Sequence, residues 1–96
     1  PEPLVDMWKR NARTIIPNFS ADDAPVISCA ELGAVMTPTL VLVGGETYQD
    51  FAMLGSEHAR CLGNATLKTM PGVNHGGPLA DPVEFANVIM DFLSAN

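Results

Sequence analysis

The sequence has few basic residues, few aromatic residues and no long apolar run, and these shortages exclude whole classes of protein. Only 5 of its 96 residues are Lys or Arg, against 11 Asp or Glu, which gives a formal net charge of −6. So few scattered cations form no patch for a phosphate backbone, which argues against nucleic acid as a partner. The longest apolar stretch, Leu40–Val43 with its flanks, is far shorter than the roughly 20 residues that a membrane span needs.

Composition and length together predict one folded unit. Hydrophobic residues make up 47% of the sequence and charged residues 17%, a balance that excludes intrinsic disorder. A length of 96 residues allows one domain at most. No basic-then-apolar leader opens the sequence, so we expect a signal peptide to be absent or already removed. Because the first residue is Pro1 rather than Met, we expect a trimmed chain or a piece of a longer protein.

Cysteine is scarce, and its spacing suggests no metal site. Cys29 and Cys61 form no C-x-x-C pair and have no nearby His that would complete a zinc pattern. We expect two free, mostly buried thiols in a reducing cytoplasm rather than a disulfide. Two N-x-[ST] matches, which begin at Asn18 and Asn64, would matter only in a secreted chain, and we expect them to be chance.

Two helices are predicted in the first third of the chain. Apolar side chains recur at helical spacing over residues 4–16, and Pro17 is expected to end that helix because it has no N–H to donate. The polar, proline-containing stretch that follows is predicted to be a loop. Ser28 and Glu31 have the S-x-x-E form of a capping box, which opens a short helix to about Met36.

The rest of the chain follows a strand-helix-strand-helix pattern. Residues 38–43 run apolar without alternation into Gly44, which is typical of a central parallel strand covered on both faces. The later elements are predicted as a helix over 50–62, a strand over 65–70, a loop over 71–80 and a helix that opens with Asp81-Pro82-Val83-Glu84. The crossover makes the two strands parallel. The fold class is therefore α/β, a partial parallel sheet preceded by two helices.

Two parallel strands alone would leave two open sheet edges. Isolated two-stranded sheets are marginally stable, and unpaired edges are templates for another strand. We therefore expect association with another chain, a swapped partner or a missing segment that completes the sheet.

The topology brings two loops to one edge of the predicted sheet. Ligands of open α/β sheets bind at the carboxyl ends of the strands, where the loops over 44–50 and 71–77 both begin. A carboxylate of the first loop can therefore hold His75 of the second. This is the acid–His half of a nucleophilic relay.

Each candidate side chain also has a purely structural interpretation. Glu46 is either the acid partner or a solvated loop residue, whereas Asp50 is expected to cap the helix that starts there. His58 falls on a predicted apolar helix face, which favours a half-buried packing role. Asp81 is expected to be a helix cap.

Four short motifs occur in order between Thr37 and Asn96. They are Pro38-Thr39-Leu40-Val41-Leu42-Val43-Gly44, Pro71-Gly72-Val73-Asn74-His75, Asp81-Pro82-Val83-Glu84-Phe85 and Asp91-Phe92-Leu93. In this order and spacing they resemble the C-terminal portion of the α/β-hydrolase fold family. The resemblance divides the chain into a helical, lid-like connecting segment over 1–36 and a C-terminal βαβα part over 37–96.

The resemblance implies that His75 is the catalytic base of a Ser-acid-His relay acting on an ester, amide or similar small acyl substrate, with no metal or organic cofactor. The family's usual acid position corresponds here to Thr47, so the resemblance leaves Glu46, Asp50 or an off-chain residue as the acid. No G-x-S-x-G nucleophile elbow occurs, so the nucleophile is expected outside this chain and the isolated chain is expected to be inactive. The alternatives are a degenerate, non-catalytic member of the fold kept for binding or for pairing with another chain, or lyase or cofactor-free dioxygenase chemistry.

Overall fold

The computed structural model describes residues 2–22 and 25–96 of the chain. In chain order its elements are α1 (Glu2–Asn11), a 3-10 turn (Ala12–Thr14), α2 (Ile15–Ser20), α3 (Cys29–Gly33), β1 (Thr39–Gly44), α4 (Gln49–Cys61), β2 (Ala65–Met70), α5 (Gly77–Ala80) and α6 (Pro82–Ala95). The mixed α/β class is confirmed. The parts of the predictions that fall on Pro1, Asp23 and Ala24 lie outside the described residues.

The sheet consists of β1 and β2, which are direct neighbours. They pair in parallel from Thr39 opposite Ala65 to Gly44 opposite Met70, which confirms the predicted crossover. Helix α4 makes that crossover and packs on both strands. The structure thereby brings both strand ends to the same edge.

The core of the described residues is small. Its buried hydrophobic side chains are Met70 and Val73, while β1 is only half-buried along its length and β2 is mostly exposed. The expectation that both faces of β1 are covered is therefore wrong for this structure. Helix α4 packs on the sheet, but α6 stands away from it and leaves a gap of about 530 Å³ beside Leu40 and Phe92.

Pro17 does not end the N-terminal helical region, contrary to the prediction. The interruption comes earlier, at the 3-10 turn, and α2 then continues to Ser20 with Pro17 as its third residue. The first N–H groups of a helix have no partner within it, so a proline there removes no hydrogen bond. The apolar side chains of this region, such as Ile16 and Phe19, are largely exposed.

The capping box at the start of α3 is confirmed. The Glu31 N–H donates to Ser28 Oγ at 3.1 Å, and the Ser28 N–H donates to Glu31 Oε2 at 2.7 Å. The helix ends at Gly33 rather than near Met36.

The start of α6 is also confirmed, but the loop before it is not wholly irregular. Asp81 Oδ1 accepts a hydrogen bond from the Glu84 N–H at 3.1 Å and so caps the helix as predicted. The preceding stretch, predicted as a loop, contains α5. That short helix tolerates Pro78 near its beginning.

Cys29 and Cys61 form a disulfide, so the expectation of two free thiols is wrong. Helix α3 packs against the end of α4 and brings the two Cα atoms to 4.9 Å, within the range of disulfide-bonded cysteines. The spacing of the two cysteines in the sequence did not reveal the bond, because the bond depends on how α3 packs against α4.

As to membranes, no helix within residues 2–22 and 25–96 combines the length and apolarity needed to cross one.

Candidate functional site

The two loops at the carboxyl ends of β1 and β2 are joined by backbone hydrogen bonds. The Gly45 N–H donates to the Met70 carbonyl at 2.7 Å, and the Glu46 N–H donates to the Val73 carbonyl at 2.8 Å. Pairing therefore continues beyond the last residues of the strands. It holds the loop that carries His75 against the loop that carries Glu46, as the topology predicted.

Glycine at position 44 is required for this close approach. A Cβ atom there would meet the backbone carbonyl oxygen of Asn74, and it would lie 2.6 Å from that of Val73. Any larger residue would push the two loops apart. The glycine that ends β1 thus fixes where the His75 loop lies.

His75 is exposed, and its ring stacks on the ring of Phe51. The ring centroids are 4.4 Å apart and the ring planes meet at 18°. Phe51 comes from the first turn of α4, which follows the loop after β1. A stack uses the ring face and leaves the imidazole nitrogens, which lie in the ring plane, free to exchange hydrogen bonds.

A cleft of about 320 Å³ opens beside this stacked pair. That volume is at the lower end of the range for small-molecule sites. Side chains of both loops and of α4 and α6 line it, including Thr47, Phe51, His75 and Phe85. The Thr47 hydroxyl oxygen is buried and has no hydrogen-bond partner in the described part of the chain. It is therefore a free polar group in a mostly apolar wall.

Neither predicted acid is bonded to His75. Glu46 is exposed, and its backbone rather than its carboxylate links the loops. Asp50 is exposed in the first turn of α4. The N-cap residue of that helix is Tyr48, whose side chain makes no capping hydrogen bond, so the predicted Asp50 cap is wrong. Within residues 2–22 and 25–96 the ion pair present is Arg60–Glu57, on the exposed surface of α4.

His58 is exposed, so its predicted half-buried packing role is also wrong. The residues that α4 turns inward are small, with Gly55 buried and Ala52 and Ala59 half-buried. Small side chains let a helix approach a sheet closely. The larger residues one position away, Phe51 and Leu54, line the cleft instead.

Two residues that shape the site were not identified from the sequence. Phe51 is one of them, and its place in the first helical turn after a strand-end loop could have indicated the site. Asn74 Oδ1 accepts a hydrogen bond from the Gly76 N–H at 2.8 Å, which folds the His75 loop into an Asx turn. The Asn-His-Gly sequence carries that signal.

Within the described ranges, no three His, Cys, Asp or Glu side chains are grouped so as to hold a metal ion. Comparison of the chain with protein-family models, curated proteins and solved structures finds no match. The resemblance to α/β-hydrolases therefore stays a prediction.

Proposed function

We propose that this chain supplies the histidine-bearing part of an α/β-hydrolase-like site that hydrolyses an ester, amide or similar small acyl substrate. One observation carries the proposal. His75 lies at the joined carboxyl-end loops of two parallel strands and lines a cleft of about 320 Å³. That edge of an α/β sheet is where such folds place their ligands.

In the proposed mechanism His75 acts as general base and then as general acid. It takes the proton of a serine hydroxyl, supplied by polypeptide outside this sequence, and returns it to the leaving group. Stacking on Phe51 fixes the plane of the imidazole. Glu46 is the proposed orienting acid because its backbone N–H is bonded to the carbonyl of Val73, two residues before His75. In this mechanism the Glu46 carboxylate must turn toward the imidazole ring. Asp50 or an off-chain acid is the alternative.

The test compares His75→Ala with His58→Ala in a protein that joins this chain to the segment carrying the nucleophile. With p-nitrophenyl butyrate as probe, we expect His75→Ala to lower kcat on the order of 10³-fold or more. Its Tm should change little, because the side chain is exposed. His58→Ala, the matched exposed histidine, should change neither quantity. A parallel loss of kcat and Tm, or no loss of kcat, would contradict the proposal.

The same assay assigns the acid. Glu46→Gln should lower kcat and Asp50→Asn should not. A loss confined to Asp50→Asn would give it the role instead, and no effect from either would place the acid off the chain.

The second candidate is a non-catalytic binding or interaction module. Two features favour it: a threonine, Thr47, at the family's usual acid position, and apolar side chains such as Phe19 left exposed. A G-x-S-x-G sequence in the polypeptide that completes the sheet would favour hydrolysis. A substituted serine there would favour binding.

We further propose that the protein works in an oxidising compartment rather than in the cytoplasm. The cytoplasmic expectation depended on free thiols, whereas Cys29 and Cys61 are bonded. Disulfides persist in secreted and extracytoplasmic proteins and are rare where glutathione keeps thiols reduced.

A further inference from the structure

The disulfide makes the two N-x-[ST] sequences candidate glycosylation sites, which they would not be in a chain with free thiols. A chain that acquires its disulfide in a secretory compartment meets the enzymes that attach N-linked glycans there. The two acceptor sequences are Asn18-Phe19-Ser20 and Asn64-Ala65-Thr66. The surroundings of the two asparagines differ in the structure, and the difference favours glycan attachment at one of them and not at the other.

Asn18 is accessible. All three residues of its acceptor sequence are exposed, at the end of α2, and the chain becomes extended at Ala21. Helix α2 has only 6 residues and no side-chain cap, so it opens readily into the turn that an acceptor asparagine must adopt.

Asn18 also stays accessible if the apolar side of α2 is covered. At about 100° per residue, Ile15, Ile16 and Phe19 form one stripe, and Asn18 lies roughly 105° from its centre. A partner or another segment packed on that stripe would therefore leave the asparagine facing water. A hydrophilic glycan at this position is compatible with either arrangement.

The side chain and the backbone of Asn64 both form hydrogen bonds within the fold. Its Nδ2 donates to the Met36 carbonyl at 3.1 Å, and its own carbonyl accepts from the Thr39 N–H at 3.0 Å. The neighbouring Gly63 is crowded, because a Cβ there would lie 2.5 Å from the Gly33 carbonyl oxygen and 2.6 Å from Met36 Sδ. Asn64 is itself exposed, but its acceptor sequence runs into β2, where Ala65 and Thr66 pair with Thr39 and Leu40 of β1. These residues would have to leave the sheet for the asparagine to adopt the turn that the transferring enzyme requires.

We propose that Asn18 carries an N-linked glycan and that Asn64 does not. The donor is an oligosaccharide linked to a lipid diphosphate. The bond between the first sugar's C1 and the diphosphate oxygen breaks, and a bond from Asn18 Nδ2 to C1 forms. The amide proton passes to a base of the transferring enzyme, and the lipid diphosphate leaves; no group is oxidised or reduced.

The test expresses the full chain behind a secretory leader in eukaryotic cells and recovers it from both medium and cells. We expect one endoglycosidase-sensitive mobility shift. It should disappear in Asn18→Gln and Ser20→Ala, and persist in Ser20→Thr and Asn64→Gln. Enzymatic release in heavy-oxygen water should convert Asn18, and not Asn64, to labelled aspartate.

Three results would overturn the inference. One is the absence of any shift in the wild-type chain. Another is modification at Asn64, alone or together with Asn18, which would show that the pairing of its acceptor sequence with β1 does not exclude a glycan. The third is recovery of the chain with Cys29 and Cys61 unbonded, which removes the reason for placing it in this compartment. The outcome is independent of the proposed hydrolase chemistry, because no step uses His75 or the cleft.

Discussion

At the scale of single residues, the carboxylate of Glu31 is one group through which pH acts on the fold. The Ser28 backbone N–H, and secondarily the Ser28 hydroxyl, bind that carboxylate and hold its pKa below the ordinary value of 4.5. A carboxyl whose pKa is lower in the folded chain stabilises it at pH values above the unfolded pKa. That contribution is lost as the pH falls through the folded pKa.

We therefore expect Glu31→Gln to be less stable than the wild type near neutral pH, with a gap in Tm that narrows as the pH falls below 4.5. Glutamine can still accept the Ser28 hydrogen bond but does not titrate. Melting curves of both proteins between about pH 7 and about pH 3 measure the gap. A gap that is constant over this range would mean that the carboxylate's charge does not contribute.

At the scale of elements, the disulfide fastens α3 to the end of α4. It closes a loop over a sequence separation of 32 residues. Chain-entropy arguments give such a crosslink roughly 3–4 kcal/mol. Since the buried hydrophobic side chains of the described residues are Met70 and Val73, that is a large share of the stability available.

Reduction should accordingly lower the free energy of unfolding by roughly 3–4 kcal/mol, measured by urea denaturation with and without a thiol reductant. The Cys29→Ser/Cys61→Ser double variant is the control. It should match the reduced wild type and be insensitive to the reductant. An unchanged midpoint on reduction would show that packing between α3 and α4 holds these elements without the bond.

Local signals predicted these elements better than long-range ones. The Ser28–Glu31 and Asp81–Glu84 caps and both strands could be read directly, because each depends on neighbours in the sequence. The disulfide and the inward face of α4 could not, because tertiary packing decides them. The apolar face predicted to include His58 is not the one that faces the sheet, since small side chains such as Gly55 allow the closest approach.

The candidate site shows the same division between local signals, which the sequence carries, and tertiary packing, which it does not. The position of His75 followed from the parallel topology, which was predictable from the apolar strands and their crossover. Its stacking on Phe51 depends on the rotation of α4 about its own axis, which tertiary packing decides. Whether Glu46 reaches the imidazole depends on a side-chain rotation that no sequence pattern fixes.

At the scale of the whole molecule, the chain exposes more surface than its mass requires. Its accessible surface is 7566 Å², whereas a folded protein of 10.2 kDa exposes about 5,300 Å². Its radius of gyration is 16.0 Å, against about 12.5 Å for a domain of this length. The excess, roughly 2,200 Å² on this one chain, is well above the roughly 800 Å² that each partner contributes to a standard interface and matches the larger, obligate ones. The outer edges of β1 and β2 also pair with nothing in the part of the chain that the structure describes.

We expect the chain, produced without glycans in bacterial cells, to have a mass above 10.2 kDa by light scattering after gel filtration, because association covers this surface. The apolar stripe of α2 provides a matched test, since Phe19 is 89% exposed and Ser20 is its exposed polar neighbour. Phe19→Asp should shift the mass toward that of a monomer, and Ser20→Asp, with the same added charge, should not. A wild-type chain that is a monomer of 10.2 kDa and unfolds cooperatively would show that two strands suffice. It would remove the need for a polypeptide that completes the sheet, and with it much of the support for the hydrolase proposal.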